Sequence, residues 1–275
     1  MLLKHRLLLI TTMLLTAHLS YAATDGCGER GAAIVQHAYP KAKSTDNGSF
    51  IVNGAVITLA SSNNMDSIHH VMICKTWPAY PQRLLVAVPL ITKASDDENQ
   101  GDLELLVLDN TTLKVEQRLA LDGRMSDDAI QISGVALDTA RYQLAPDSIA
   151  FGLRLTRTNN SHISPFEEVD LWLYVIDHGQ LHSVLNGIVT SHSHSDLDTN
   201  CARTFDETNR TLAVDSATHN GYADLLVTEK SSSRVLVVDK AGRCDEKIDN
   251  GKKQSYRLGY DGKTYAVPKV LQPLR

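Results

Sequence analysis

The chain has no cluster of lysines or arginines, only two tryptophans and only four cysteines, and each shortage removes a class of function. Its 27 basic residues are scattered among 32 acidic ones, leaving a formal net charge of −5. Without a basic stripe, a nucleic-acid backbone is excluded as partner. Trp77 and Trp172 alone do not make an aromatic platform for sugars. No two cysteines stand in a C-x-x-C arrangement, so a thioredoxin-like redox role has no support. There is no G-x-S-x-G elbow, H-E-x-x-H pair, P-loop or Rossmann glycine fingerprint. A triad gathered from scattered Ser, His and Asp would leave no such local trace.

What is there begins with MLLKHRLLLITTMLLTAHLSYAA. A basic start (Lys4, Arg6), an apolar run from Leu7 to Leu19, and Ser20 and Ala22 at the positions a signal peptidase reads predict a signal peptide over 1–22. The run is short for a membrane span and nothing similar follows it, so no membrane anchor is expected after cleavage. Cys27 follows Thr24-Asp25-Gly26, which is not a lipoprotein sequence. The expectation is a protein of the periplasm or the extracellular space. Loss of Lys4 and Arg6 would take the net charge from −5 to −7. Cys27, Cys74, Cys201 and Cys244 all lie in the mature part, and an even count in an oxidising compartment predicts two disulfides. Of three possible pairings we favour Cys27–Cys74 and Cys201–Cys244, each closing a moderate loop within its own half.

Short Val- and Leu-rich runs broken by turn residues predict strands over 84–91, 103–109, 113–121, 149–156, 169–177, 180–189, 210–215, 223–230 and 233–240. Residues 28–39 predict a short helix stopped by Pro40, and Asp261-Gly262 predicts a type I′ hairpin turn. The form apolar-Val-apolar-Asp recurs at Leu106–Asp109, Tyr174–Asp177 and Leu236–Asp239, each time before a turn. Repetition on that scale predicts stacked or radial hairpins. The expectation for 23–275 is therefore a single all-β domain with a short N-terminal helix. We expect a β-propeller, with a β-sandwich as the alternative.

NGYADLLVTE, 220–229, resembles the second half of an FG-GAP repeat, the calcium-loop motif of integrin-type propellers. In that family a run of acidic residues precedes the glycine and ligates the ion. Here Ser216, Thr218 and Asn220 stand at those positions and only Asp224 is a carboxylate, so the resemblance implies a turn entering a strand and little calcium chemistry. LDTARYQLAP and the C-terminal part resemble uncharacterised secreted bacterial proteins.

SHSHSDLD, 191–198, places His192, His194, Asp196 and Asp198 on one face of an extended backbone. SHSHSD resembles the H-x-H-x-D-H motif of metallo-β-lactamases, where it supplies zinc ligands; Leu197 occupies the place of the last histidine. Only His219 follows downstream, and we read the stretch as a solvated loop. His219, beside Asn220-Gly221, is the more promising histidine for binding. His69-His70 point to opposite faces of a strand, and the acidic runs Asp96-Asp97-Glu98 and Asp127-Asp128 read as solvated turns. Asp138 and Arg141 are placed to form a loop-organising ion pair. These residues point to a binding protein without a cofactor, acting on another protein of basic character, as an immunity protein or inhibitor does. The alternative is a metal-dependent hydrolase built on His192, His194, Asp196 and Asp198. The binding residues expected are His219, Asn220, Asp224, Asp138 and Arg141.

Overall fold

Runs such as Leu84-Leu85-Val86-Ala87-Val88 are apolar at every position, and a strand with that pattern must be covered on both faces. A computed structural model of the protein describes residues 27–60, 70–95, 98–159, 161–197, 203–251 and 253–274. The predicted signal peptide, His69, Asp96-Asp97, Asp198 and Cys201 lie outside them. In this structure a short 3-10 turn, Gly28–Arg30, leads into α1 (Gly31–Ala38). The strands of the first sheet follow: β1 (Lys43–Ser44), β2 (Phe50–Val52), β3 (Ala55–Leu59), β4 (Val71–Thr76), β5 (Arg83–Ala94), β6 (Asn99–Asp109) and β7 (Val115–Leu121). The second sheet comprises β8 (Gln131–Ala145), β9 (Ser148–Thr158), β10 (Phe166–Asp177), β11 (Gln180–Leu197), β12 (Arg203–His219), β13 (Tyr222–Val238), β14 (Cys244–Asn250) and β15 (Gln254–Leu258). Neighbours in sequence are neighbours in the sheets, in the orders β1 to β7 and β14 back to β8, with β15 also paired to β13. Apart from the parallel β3–β4 contact, the pairings are antiparallel.

Alternation divides the apolar side chains among three cores. Leu85, Ala87, Leu103, Leu105 and Val107 of the first sheet meet Leu137, Phe151, Leu153, Leu155, Trp172 and Tyr174 of the second. The opposite faces of β5 and β6 bury Leu84, Val86, Val88, Leu106 and Leu108 under Ile34, Val35 and Ala38 of α1. The far face of the second sheet holds Leu171, Leu173, Val175, Leu185, Leu225 and Val227, covered by Leu258, Tyr260, Tyr265 and Leu271. The protein is all-β with antiparallel sheets packed face to face, the arrangement of the sandwich alternative. The described strands do not form a closed propeller. The recurring apolar-Val-apolar-Asp segment stands at the ends of β6, β10 and β13, and in two of the three its aspartate accepts from the amides of the turn that follows. Asp109 accepts from the amides of Thr111 and Thr112, and Asp239 from those of Ala241 and Arg243. Local turn chemistry, not a blade, is what repeats.

Two-residue turns with positive φ at both positions occur at Asn53-Gly54, His178-Gly179 and Asn220-Gly221, as type I′ requires. The predicted one at Asp261-Gly262 is different: only Gly262 has positive φ, and a wider loop joins the Tyr260–Tyr265 bridge. Its amides at Lys263 and Thr264 are bonded to the Asp261 carboxylate, so the side chain replaces the tighter turn.

Cys27 and Cys74 are joined, tying the entry of α1 to β4. A bond closing a separation of 47 residues contributes roughly 2–4 kcal/mol by restricting the unfolded chain. Cys244 is also disulfide-bonded; its expected partner Cys201 lies outside the described residues. Among the described residues no helix is long and apolar enough to cross a membrane.

Candidate functional site

The Asn220-Gly221 turn joins β12 to β13, with His219 paired to Tyr222 across it. Just below, the ladder is irregular. Val214 pairs with Leu225 and Thr218 with Ala223, so Asp215, Ser216 and Ala217 stand opposite the single residue Asp224. A bulge of this kind re-aims side chains. Asp224 is fully buried, and its Oδ1 lies 2.6 Å from Nδ1 of His219. The Asp224 carboxylate accepts from Nδ1, which leaves Nε2 as the ring nitrogen open to another partner. The His219 side chain is 59% exposed. Arg257 reaches in from β15, 2.8 Å from Asp215 and 3.7 Å from Asp224. Asp215 is partly buried, which would raise its pKa. The amides of Ala217 and Ser216 and the Arg257 charge outweigh that and hold it below the usual carboxylate range.

Tyrosines fix this cluster to the C-terminal segment. Tyr222 and Tyr260 have ring centroids 4.6 Å apart, and Tyr260 and Tyr265 5.3 Å. The Tyr265 hydroxyl donates to the Ala223 carbonyl at 2.6 Å, and the Asn220 amide to the Tyr260 carbonyl at 2.8 Å. The result is a hairpin end whose imidazole, guanidinium and phenol are held in place before anything binds. Among the described residues no hydroxyl or thiol is hydrogen-bonded to Nε2 of His219. The arrangement can accept or donate a hydrogen bond at that atom and present a cation beside it.

Of the residues expected for binding, His219, Asn220 and Asp224 are thus brought together, and Asp138 and Arg141 are elsewhere. The expected Asp138–Arg141 ion pair is not formed. Asp138 Oδ2 instead lies 2.7 Å from Nη2 of Arg154 and accepts from the Tyr142 hydroxyl at 2.9 Å. Arg141 bonds to Gln143. Asp138 is paired with Gly152, so Arg154 is its same-face diagonal neighbour across the ladder, a relation invisible along the chain. Burial acts to raise the Asp138 pKa, but the Ala140 amide and the Arg154 charge prevail and lower it. A carboxylate depressed in this way adds stability above its unfolded pKa, about 4, and that stability is lost as pH falls through the folded value. Asp138→Asn should therefore cost stability at pH 7 and much less at pH 2. Urea midpoints at the two values measure this, and an equal loss at both would refute the role assigned to the charge.

SHSHSD is not a loop. It ends β11, paired with both β10 and β12. The stretch is polar on both faces because it lies beyond the apolar cores, which reach only to Ile188 in β11 and Val227 in β13. His192, His194 and Asp196 do share a face, but each histidine has its own contact. His192 Nδ1 lies 3.6 Å from Glu168, and His194 Nε2 lies 3.1 Å from Asp196. Among the described residues no three potential ligands are gathered for a metal. Asp127 is not a solvated turn carboxylate either. Its side chain is 1% exposed and accepts from the Asn99 amide and side chain and from the Ile132 amide, fastening the start of β6 to that of β8.

Arg257, Arg154 and Tyr260 were missed in the sequence because their partners are 16 to 42 residues distant. Their only prior signal is the YRLGYDGKTYAV hairpin pattern. Comparison of the chain with models of known families, with curated proteins and with solved structures finds no match.

Proposed function

We propose that this is an exported binding protein that docks another protein, of basic character, at the His219–Tyr222 end of its second sheet. The observation that supports it is the preorganised cluster there. His219 is held by a buried carboxylate while more than half of its side chain is exposed, with Arg257 and Tyr222 nearby. Tyrosine and arginine are the types that dominate interface hot spots, and ordering them in advance lowers the entropy lost on binding. The acidic chain as a whole steers a basic partner toward it. The role we assign is occlusion of that partner, as by an immunity protein or inhibitor. The FG-GAP-like segment contributes the turn that carries His219 and Asn220.

The test is capture of partners from an envelope extract of the producing organism by the tagged protein. A His219→Ala/Arg257→Ala double variant with unchanged melting temperature should retain the partner at least about tenfold less well, as hot-spot truncation does. His192→Ala/His194→Ala should capture it normally. If the first variant captured as well as the unaltered protein, the site would be misplaced.

A further inference from the structure

A cleft of about 580 Å³ opens against the second sheet at Trp172, which also borders the core shared by the sheets. Its walls come from the β7–β8 loop (Gly123, Arg124, Ser126), from Arg157 and Trp172 of the second sheet, and from the C-terminal segment. The volume lies in the range of small-molecule sites. Its floor is built by a second bulge. Leu171 pairs with Ile188 and Leu173 with Leu185, so Asn186 and Gly187 stand opposite the single residue Trp172. Gly187 has φ +101°, and a β-carbon there would come 2.7 Å from the Trp172 indole nitrogen and 3.1 Å from Pro273. Only glycine lets the indole and Pro273 close together at that place.

The charges in the cleft are not equivalent. Arg157 is committed: it is ion-paired with the buried Asp170, and Glu168 lies 4.0 Å away. Arg124 is not. Its guanidinium lies 4.4 Å from the Trp172 ring centroid, and no carboxylate among the described residues is within 4.0 Å of it. No carboxylate lines this cleft. Burial lowers the Arg157 pKa, and the Arg124 charge adds to that fall against the opposing pull of Glu168. A guanidinium with a planar fork and no ion pair among the described residues, in a partly enclosed cleft, is suited to bidentate capture of a carboxylate. Trp172, Val267, Pro273 and Leu274 offer apolar surface beside it. One positive charge without an ion pair among the described residues matches a monoanion better than a phosphate dianion.

We infer that this cleft binds a small organic carboxylate with an apolar body, its carboxylate received by Arg124 and its body lying against Trp172 and Leu274. The cleft shares Tyr265 of the C-terminal segment with the His219 hairpin, but Arg124, Trp172 and Leu274 are not residues of that hairpin, and the inference stands without the reading given to it. The probes are hexanoate and benzoate, with hexanamide as the neutral isostere and inorganic phosphate as a second anion. Calorimetric titration of the full chain should show saturable binding of at least one carboxylate with Kd about 1 mM or tighter. Hexanamide should bind at least about tenfold more weakly than hexanoate, and phosphate more weakly than either carboxylate. Arg124→Gln should weaken carboxylate binding at least about tenfold without lowering the melting temperature, and Arg124→Lys should fall between, keeping the charge but not the fork. Binding of hexanamide equal to hexanoate, tighter binding of phosphate, or no saturable carboxylate binding up to about 10 mM would overturn the inference. So would an Arg124→Gln variant that binds unchanged. The comparison of acid with amide uses the unaltered protein and stands even if a variant misfolds.

Discussion

A Trp77→Ala variant should lose about 3–5 kcal/mol of stability, the range for emptying an aromatic site in a packed core. Trp77 follows β4 at the turn into β5 and is 1% exposed. Its ring meets Tyr80 edge-on at 4.7 Å and Phe151 at 5.2 Å, and Phe151 belongs to the other sheet. Its amide donates to the Arg83 carbonyl, so the indole is anchored by the turn that bears it. Removing it takes away burial, two aromatic contacts and part of the seam between the sheets. Trp77→Phe keeps a ring and should lose less. Urea unfolding of both variants measures the difference. A loss below about 1 kcal/mol for alanine would mean that the sheets do not share this core.

The second large effect is expected where the apolar core of the second sheet gives way to its polar extension. Arg210 and Glu229 face each other across β12 and β13 at 2.7 Å, with side chains 9% and 10% exposed. Arg210 also donates to the Val189 carbonyl on β11 at 3.1 Å, linking three strands. Glu229→Ala leaves a guanidinium enclosed without its counter-charge, which costs roughly 3–5 kcal/mol. Replacing both residues by apolar ones, as in Arg210→Met/Glu229→Leu, removes the charge with its partner and should restore most of that loss. Melting of the two variants side by side decides it. A double variant as unstable as the single would show that something other than the stranded charge is responsible.

Beyond Glu229 the sheet runs on with little apolar burial, and there the sequence was hardest to read. Ser231-Ser232-Ser233 suggests a break between two strands, yet β13 continues through it, paired to Thr208, Glu207 and Asp206. All seven residues of β14 are exposed. Strand signals rest on one face being buried, and CDEKIDN has none to show. Its charges instead suit an edge that must not recruit further strands. β8 escaped notice because its apolar residues change face at irregularities between Asp138 and Tyr142, so the alternation is interrupted.

Much was legible. The helix expected over 28–39 is the 3-10 turn and α1, with Gly31, Ile34, Val35 and Ala38 buried at helical spacing. Strands such as β5, β6, β9 and β10 extend the predicted runs by a few residues at their ends. His219, Asn220 and Asp224 could be singled out because a two-residue turn keeps them within six positions of one another. Arg257, Arg154 and Arg124 could not, since each acquires its meaning from a strand or ring remote in sequence.

The sequence by itself determined the all-β character, the short helix and the run of hairpins, and it favoured, among three pairings, the Cys27–Cys74 bond that the structure forms. Alternation, turn residues and the spacing of cysteines act over short stretches, and nothing in the tertiary structure opposes them. Only the tertiary structure decided that the hairpins join into two packed sheets and not into blades. It also decided that SHSHSD is a strand, that Asp138 takes Arg154, and that Arg124 lies over Trp172 without a counter-ion among the described residues. Those outcomes depend on register and on bulges, which determine which face of one strand a distant side chain will meet.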